Sequence, residues 1–212
     1  MGIIKRGILG GFSNKVANVV GSSWKGIAVI KSLPLSVANP KTAGQVTQRS
    51  VFSQASKMGS KILANVIKPF WDRFAQQESG FNAWVRENIV FFTQGGITDF
   101  ANLVMSKGSL AVDAILSVAT SPGVSSSAVT WVEGTGGGNG LSTDLCTAAI
   151  YNETQDVWGF SDGTTTRDVE SAIVTFPTNL ETGDELHAYL MFKRPDGSIV
   201  SNSSYLDGTV TA

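Results

Sequence analysis

Charge is scarce in this chain of 212 residues: Asp, Glu, Lys and Arg together make up 16% of it, well below the usual quarter. Cysteine and histidine occur once each, as Cys146 and His187. One cysteine excludes an intrachain disulfide and any cysteine-cluster metal site. Its neighbours, Leu145 and Thr147 to Tyr151, read as a strand, so a buried, inert thiol is expected. His187 sits in an equally strand-like run, and nothing around either residue has the pattern of an activated nucleophile. No catalytic residue, cofactor, metal ligand or small-molecule substrate is therefore expected. Long apolar runs are also lacking. No segment reaches the roughly 18 apolar residues of a membrane-crossing helix. Gly7 to Gly21 is interrupted by Asn14, Lys15 and Asn18, which removes the apolar core of a secretion signal. The protein is expected to stay, at least initially, where it is made, with no membrane partner.

The charges that are present are segregated. Residues 1–75 carry eleven bases and one acid, Asp72, for a net +10; residues 76–212 carry five bases and sixteen acids, for a net −11. The overall −1 conceals two opposite halves. A basic half seeks a polyanion or an acidic protein face, and the acidic half of a neighbouring copy is such a face.

Glycine, the other abundant residue at 23 positions, is dense near the start. Val16, Asn18 and Val20 alternate, Gly21-Ser22-Ser23 supplies a turn signal, and Trp24, Ile27 and Val29 continue beyond it, which predicts a hairpin in a glycine-rich β-arm. Such an arm has no core of its own and must lie on something. Trp24 is either an anchor for a neighbour's pocket or a core residue closing the hairpin on the helices. Asn39-Pro40 predicts a helix start, with a period near 3.6 to about residue 67 and a basic face that includes Lys41, Arg49, Lys57 and Lys61. Pro69 is expected to break or kink it. A second helix follows with Phe70, Trp71 and Phe74 inward, and a third begins after Ser79-Gly80.

From about residue 100 the pattern turns to β. Runs at 103–105, 115–118, 128–132, 145–151, 157–160, 172–176, 186–192 and 199–205 are separated by turn clusters such as Ser121-Pro122-Gly123 and Pro195-Asp196-Gly197. That spacing predicts an α+β chain: a basic β-arm plus central helices over 1–99, and an antiparallel immunoglobulin- or fibronectin-like sandwich over 100–212 with Trp131 as a core tryptophan. Gly134 to Gly140 lacks the Gly-Lys-Ser/Thr of a phosphate loop and reads as a flexible connection. The acidic cluster Glu181, Asp184 and Glu185 lacks the calcium-loop pattern and reads as a solvated face.

The segments Gly7-Ile8-Leu9-Gly10-Gly11-Phe12-Ser13 and Val19-Val20-Gly21-Ser22-Ser23-Trp24-Lys25-Gly26, then Asn39-Pro40-Lys41-Thr42 with Gln45 and Arg49, and Phe81-Asn82-Ala83 with Asn88, resemble an uncharacterised family of Bacteroidota and their phages, crAss-like phages included. Ser106 to Leu110, Tyr151-Asn152 and Ser201 to Tyr205 extend the resemblance over essentially the whole chain. Asn14 and Ala17 depart from it, standing where glycine is expected, and should stiffen the arm slightly. The resemblance implies a virion structural protein, assembled in the host bacterial cytoplasm, near the portal, neck or tail. Combined with the charge asymmetry, it predicts a ring-forming connector built by head-to-tail contacts with its own copies and with other virion proteins. The interface residues expected on the arm and first helix are Lys5, Arg6, Phe12, Lys15, Trp24, Lys25 and Arg49. The alternatives are a nucleic-acid-binding packaging protein, with the lysines on phosphates, and a surface adhesin binding through its β-loops.

Overall fold

The computed structural model describes residues 2–3, 13–34, 36, 39–134 and 137–211. The chain divides into two compact units, Met1–Val46 and Thr47–Ala212. The division falls well before residue 99, because the helices share a core with the sheet that follows them.

The first unit is a four-stranded antiparallel sheet of β1 (Gly2–Ile3), β2 (Asn14–Val16), β3 (Val19–Trp24) and β4 (Ile27–Ser32), in the order β1-β4-β3-β2. The expected turn at Gly21-Ser22-Ser23 lies instead inside β3, where Gly21 pairs with Asn14 on one side and Ile30 on the other. The reversal comes at Lys25-Gly26, with φ values of 46° and 80°. Two consecutive left-handed residues make the type I′ turn whose twist suits a two-residue hairpin, and Gly26 adopts it without a Cβ penalty. A second reversal at Ala17-Asn18 joins β2 to β3. Asn14 and Ala17, the two positions where glycine was expected, have φ values of 81° and 50°.

α1 (Ala43–Lys61), whose first four residues fall in the first unit and the rest in the second, starts after Thr42, three residues beyond Pro40, with the Thr42 carbonyl accepting the Val46 amide. Pro69 does not break the helical path. A π-turn at Leu63–Ile67, with the Ile67 amide donating to the Ile62 carbonyl, precedes the short α2 (Lys68–Phe70). The wider turn lets the chain pass a residue that has no amide and would clash with the carbonyl four positions back. Phe70 and Trp71 are buried as expected, but Phe74 is exposed. α3 (Gly80–Asn88) is capped by Ser79, whose hydroxyl accepts the Asn82 amide at 3.2 Å. Gly80 is required there: a Cβ would lie 2.6 Å from the Asp72 backbone nitrogen. A two-stranded ribbon, β5 (Phe92–Thr93) with β6 (Gly96–Ile97), follows.

The expected strand at 103–105 is absent. The Asn88 side chain accepts the Val104 amide at 2.7 Å and donates to its carbonyl at 2.9 Å, doing what a neighbouring strand would do. Six of the other predicted strands are present: β7 (Ile115–Ala119), β8 (Ser126–Trp131), β9 (Leu145–Asn152), β10 (Val157–Phe160), β11 (Ser171–Thr175) and β12 (Glu185–Lys193). The last, expected at 199–205, is displaced: β13 spans Ser204–Thr209, and Val200 and Ser201 make only isolated bridges. These seven strands hydrogen-bond as one antiparallel sheet of order β13-β12-β9-β10-β11-β8-β7, where two packed sheets had been expected. Its ends approach each other through a parallel bridge between Leu110 and Ser201 and a 3.4 Å bond from the Ile115 amide to the Ser204 hydroxyl, nearly closing a barrel.

Alternation along the strands gives the sheet two apolar faces. The enclosed face holds Trp131, Cys146, Ala148, Ile150, Leu186, Leu190 and Phe192. The outward residues of β9, β10 and β12, among them Ala149, Tyr151, Trp158, Tyr189 and Met191, pack under the helices with Met58, Ile62, Phe70 and Trp84. Strands buried on both faces read as continuous apolar runs, as β9 and β12 do. The indole N–H of Trp158 on the sheet donates to the Met58 sulfur on α1 at 2.9 Å.

Candidate functional site

The arm places Trp24 and Lys25 at the tip of the β3–β4 hairpin, with the Lys25 ammonium 5.5 Å from the centre of the Trp24 ring. That is a cation–π distance, and it gives the tip one aromatic surface carrying one positive charge. Trp24 is 46% exposed. Lys15 lies on β2, opposite Val20 of β3. Arg49 lies on the exposed side of α1 in the second unit, so it is not part of the arm. Lys5, Arg6 and Phe12 lie outside the described residues. Of the seven expected interface residues, the structure therefore gathers Trp24 and Lys25 at one tip, with Lys15 on the same sheet.

Two properties of the arm follow from its sequence. Residues 1–46 contain six bases and no acid, a net +6, leaving −7 on residues 47–212. Strand β4 presents Ile27, Ala28, Val29 and Ile30 in succession, apolar on both faces and half-buried on both. Among the described residues of this unit no hydrophobic side chain is fully buried. A sheet of this kind needs a hydrophobic face packed against something to be stable.

The second unit holds features that the sequence did not single out. Arg167 is 1% exposed and reaches three acceptors: the Asp113 carboxylate at 2.8 Å, the Asp144 carboxylate at 3.6 Å and the Ala111 carbonyl at 2.7 Å. Its guanidinium lies 4.0 Å above the Phe192 ring, and the Trp131 indole donates to its carbonyl. The end of the glycine-rich connection is fixed to this cluster. Asn139 bonds to the backbone of Ala111 and Ser109, and its carbonyl accepts from Arg194. The acidic cluster at 181–185 also has an interior member. Asp184 is buried and accepts Asn152, Gln155 and the Glu181 amide, so it braces a turn.

A cleft of about 350 Å³ lies between α1 and the sheet, floored by Met58, Phe92, Phe100 and Tyr151. Lys57, Lys61, Glu153 and Asp156 form its rim. Lys61 and Asp156 are already paired at 2.6 Å. Beside it an aromatic row runs through Trp158, Tyr151, Phe100, His187 and Tyr205. His187 stacks on Phe100 at 3.7 Å, and its two ring nitrogens meet the Tyr205 hydroxyl and the Glu153 carboxylate. Burial raises the Tyr205 phenol to about 12, aided by nearby carboxylates. Burial also pushes the Cys146 thiol far above its ordinary range. Cys146 belongs to the enclosed face and His187 to the helix-side aromatic row, so the two do not form a dyad. Among the described residues no group of three His, Cys, Asp or Glu is placed to hold a metal ion, and no helix is long and apolar enough to cross a membrane.

The chain belongs to a family of unknown function (DUF6266), whose profile matches residues 11–207. Comparison with curated proteins and with solved structures found no match.

Proposed function

We propose that this member of the DUF6266 family is a non-enzymatic structural protein of a bacteriophage particle, a ring-forming component of the neck, portal-proximal or tail connector. The observation that carries the assembly part is the arm itself: residues 1–46 have a net +6 and no acid, and their sheet is apolar on both faces of β4, with no fully buried hydrophobic side chain among its described residues. Its partner in this reading is the −7 unit of the next copy. Unlike surfaces meeting head to tail close into rings when the rotation allows, and opposite charge sets orientation and register. The strand-rich second unit takes the role of a module displayed by the ring. The virion setting rests on the resemblance of the Gly-Gly-Phe-Ser and Ser-Ser-Trp-Lys-Gly segments to phage proteins.

Trp24 is the side chain with most to gain from such a contact, because burying a large aromatic stabilises by about 2–3 kcal/mol and interface anchors are enriched in tryptophan. Negative-stain imaging of the full chain at low and physiological salt tests the reading. Discrete rings support it. Dispersed single particles that stay unchanged on mixing with portal and neck proteins count against it.

A second reading is favoured by the same acid-free arm: the lysines hold phosphates and Trp24 stacks on a base, in a packaging protein. A DNA titration separates the two, since phosphate binding weakens steeply with the logarithm of salt concentration.

A further inference from the structure

A hollow of about 440 Å³ lies beside the π-turn, where the helical stretch passes over the sheet. Ala64, Asn65, Lys68 and Pro69 form one wall. The other is formed by Thr147 of β9, Lys193 of β12 and the Ser161-Asp162-Gly163 segment that follows β10. Alternation along β9 and β12 turns Thr147 and Lys193 to the helix side, the side of Ala149 and Met191. The π-turn that carries the chain past Pro69 therefore sets Lys68 opposite these sheet residues, and such turns recur at functional sites.

Hydrogen-bond donors in the hollow outnumber acceptors. Thr147 is 4% exposed, yet among the described residues its hydroxyl has no hydrogen-bond partner. A Cβ on Gly163 would stand 3.4 Å from that hydroxyl, so the bare glycine is what leaves it facing open space. Ser161 is also buried. Its oxygen accepts the Ala148 amide at 2.9 Å, which leaves its own proton without an acceptor. The ammonium groups of Lys68 and Lys193 have neither an ion pair nor a hydrogen bond among the described residues. Asp162, the one acid in the lining, is already engaged: its two oxygens accept the Thr164 amide at 3.0 Å and the Thr164 hydroxyl at 2.7 Å. Buried donors without acceptors are rare and costly, so a convergent group of them points to a ligand that accepts.

We propose that this hollow binds a phosphate group. Two lysines and one acid leave the lining at +1, which favours an anion. Lysine ammonium groups and hydroxyls are donors that phosphate oxygens accept strongly. The donors stand on two facing walls, and a tetrahedral oxyanion sends oxygens toward both, whereas a carboxylate presents two oxygens along one edge. A cation would meet two ammonium groups, and an apolar ligand would seal two unpaired hydroxyls. The hollow is larger than one phosphate and leaves room for an ester substituent, so a free phosphate or monoester and the diester of a nucleic-acid backbone share the chemistry it recognises. Every residue involved belongs to the second unit, so the site does not depend on how the arm assembles.

Phosphorus NMR of inorganic phosphate titrated with the full chain, at constant ionic strength, tests the site. Saturable line broadening is expected, with a dissociation constant on the order of 10⁻³ M. Thr147→Val keeps the side-chain shape and removes only the hydroxyl; it and Lys193→Gln are each expected to weaken binding about tenfold. Lys57→Gln, at an exposed lysine outside the hollow, is expected to leave binding unchanged. A short oligothymidylate without terminal phosphate separates the sources. Binding that falls in Thr147→Val and Lys193→Gln assigns the site to a nucleic-acid backbone; binding indifferent to both, with the inorganic phosphate result holding, assigns it to free phosphate or a monoester. Absence of saturable broadening by inorganic phosphate overturns the inference. So does binding that survives Thr147→Val and Lys193→Gln, or that Lys57→Gln weakens equally.

Discussion

The guanidinium of Arg167 meets the carboxylate of Asp113 at 2.8 Å with both side chains essentially sealed from solvent. The pair joins the segment before β7 to the short turn before β11, 54 positions apart in the chain. Removing one partner of a buried pair strands the other's charge, at about 3–5 kcal/mol. Asp113→Ala is expected to lower the unfolding free energy by that amount, read from the urea midpoint. A change below about 1 kcal/mol, within the usual range for exposed pairs, would show that the cluster does not hold the sheet.

Gly140 lies against the same group: a Cβ there would be 2.9 Å from an Arg167 terminal nitrogen. Gly140→Ala should destabilise by about 1–3 kcal/mol, as overpacking does. Gly44, in the first turn of α1 with open space around its Cβ position, is the control. Gly44→Ala should stabilise by up to about 1 kcal/mol. Thermal melts of the two variants should therefore move in opposite directions.

Asn88 holds both backbone groups of Val104 from a fully buried position. Asn88→Ala leaves them without that partner, and each buried unsatisfied group costs about 1–3 kcal/mol. The variant is expected to lose about 2–4 kcal/mol in chemical unfolding. Hydrogen exchange at Val104 should rise sharply, because its amide donates to the Asn88 side chain.

Ala17 occupies the left-handed region at φ 50°. An alanine there costs about 1–2 kcal/mol that glycine avoids. Ala17→Gly is expected to slow hydrogen exchange at the arm amides that close β2 on β3. Unchanged or faster exchange would mean that the strain is already offset elsewhere.

Burial works against ionisation of Asp156, but hydrogen bonds from Lys61 and the Tyr151 hydroxyl outweigh it and hold the carboxyl below its ordinary range. A carboxyl lowered in the folded state binds fewer protons there than in the unfolded chain. Its stabilising contribution is therefore complete above the ordinary value of about 3.9 and is lost as pH falls through the lower folded value. Asp156→Asn should flatten the stability profile below about pH 4 and leave its shape at neutral pH unchanged. The pair is solvent-exposed, so the effect is small and shrinks further with salt.

Six of eight strands were legible because their apolar runs are bounded by turn chemistry, and Ser79-Gly80 announced α3; the last strand was placed about four residues too early. The arm hairpin was legible too, but not its turn. Gly21 invites a reversal, yet it serves within β3 while Lys25-Gly26 takes the left-handed pair. Local patterns do not reveal how the sheet ends meet, so one nearly closed sheet and two packed ones look alike in sequence. The Arg167 cluster was invisible for a related reason, since its partners Asp113 and Asp144 come from separate loops. The continuous apolar character of β9 and β12 was the available signal that something covers the sheet on its outer side, and the helices do.

The mass of the full chain, measured by light scattering at low and physiological salt beside a variant lacking residues 1–35, addresses the proposed assembly most directly. The account predicts a discrete, salt-sensitive oligomer from the full chain and its loss when the basic arm is removed. A full chain that remains monomeric at high micromolar concentration in low salt would contradict it, as would an oligomer unaffected by the truncation.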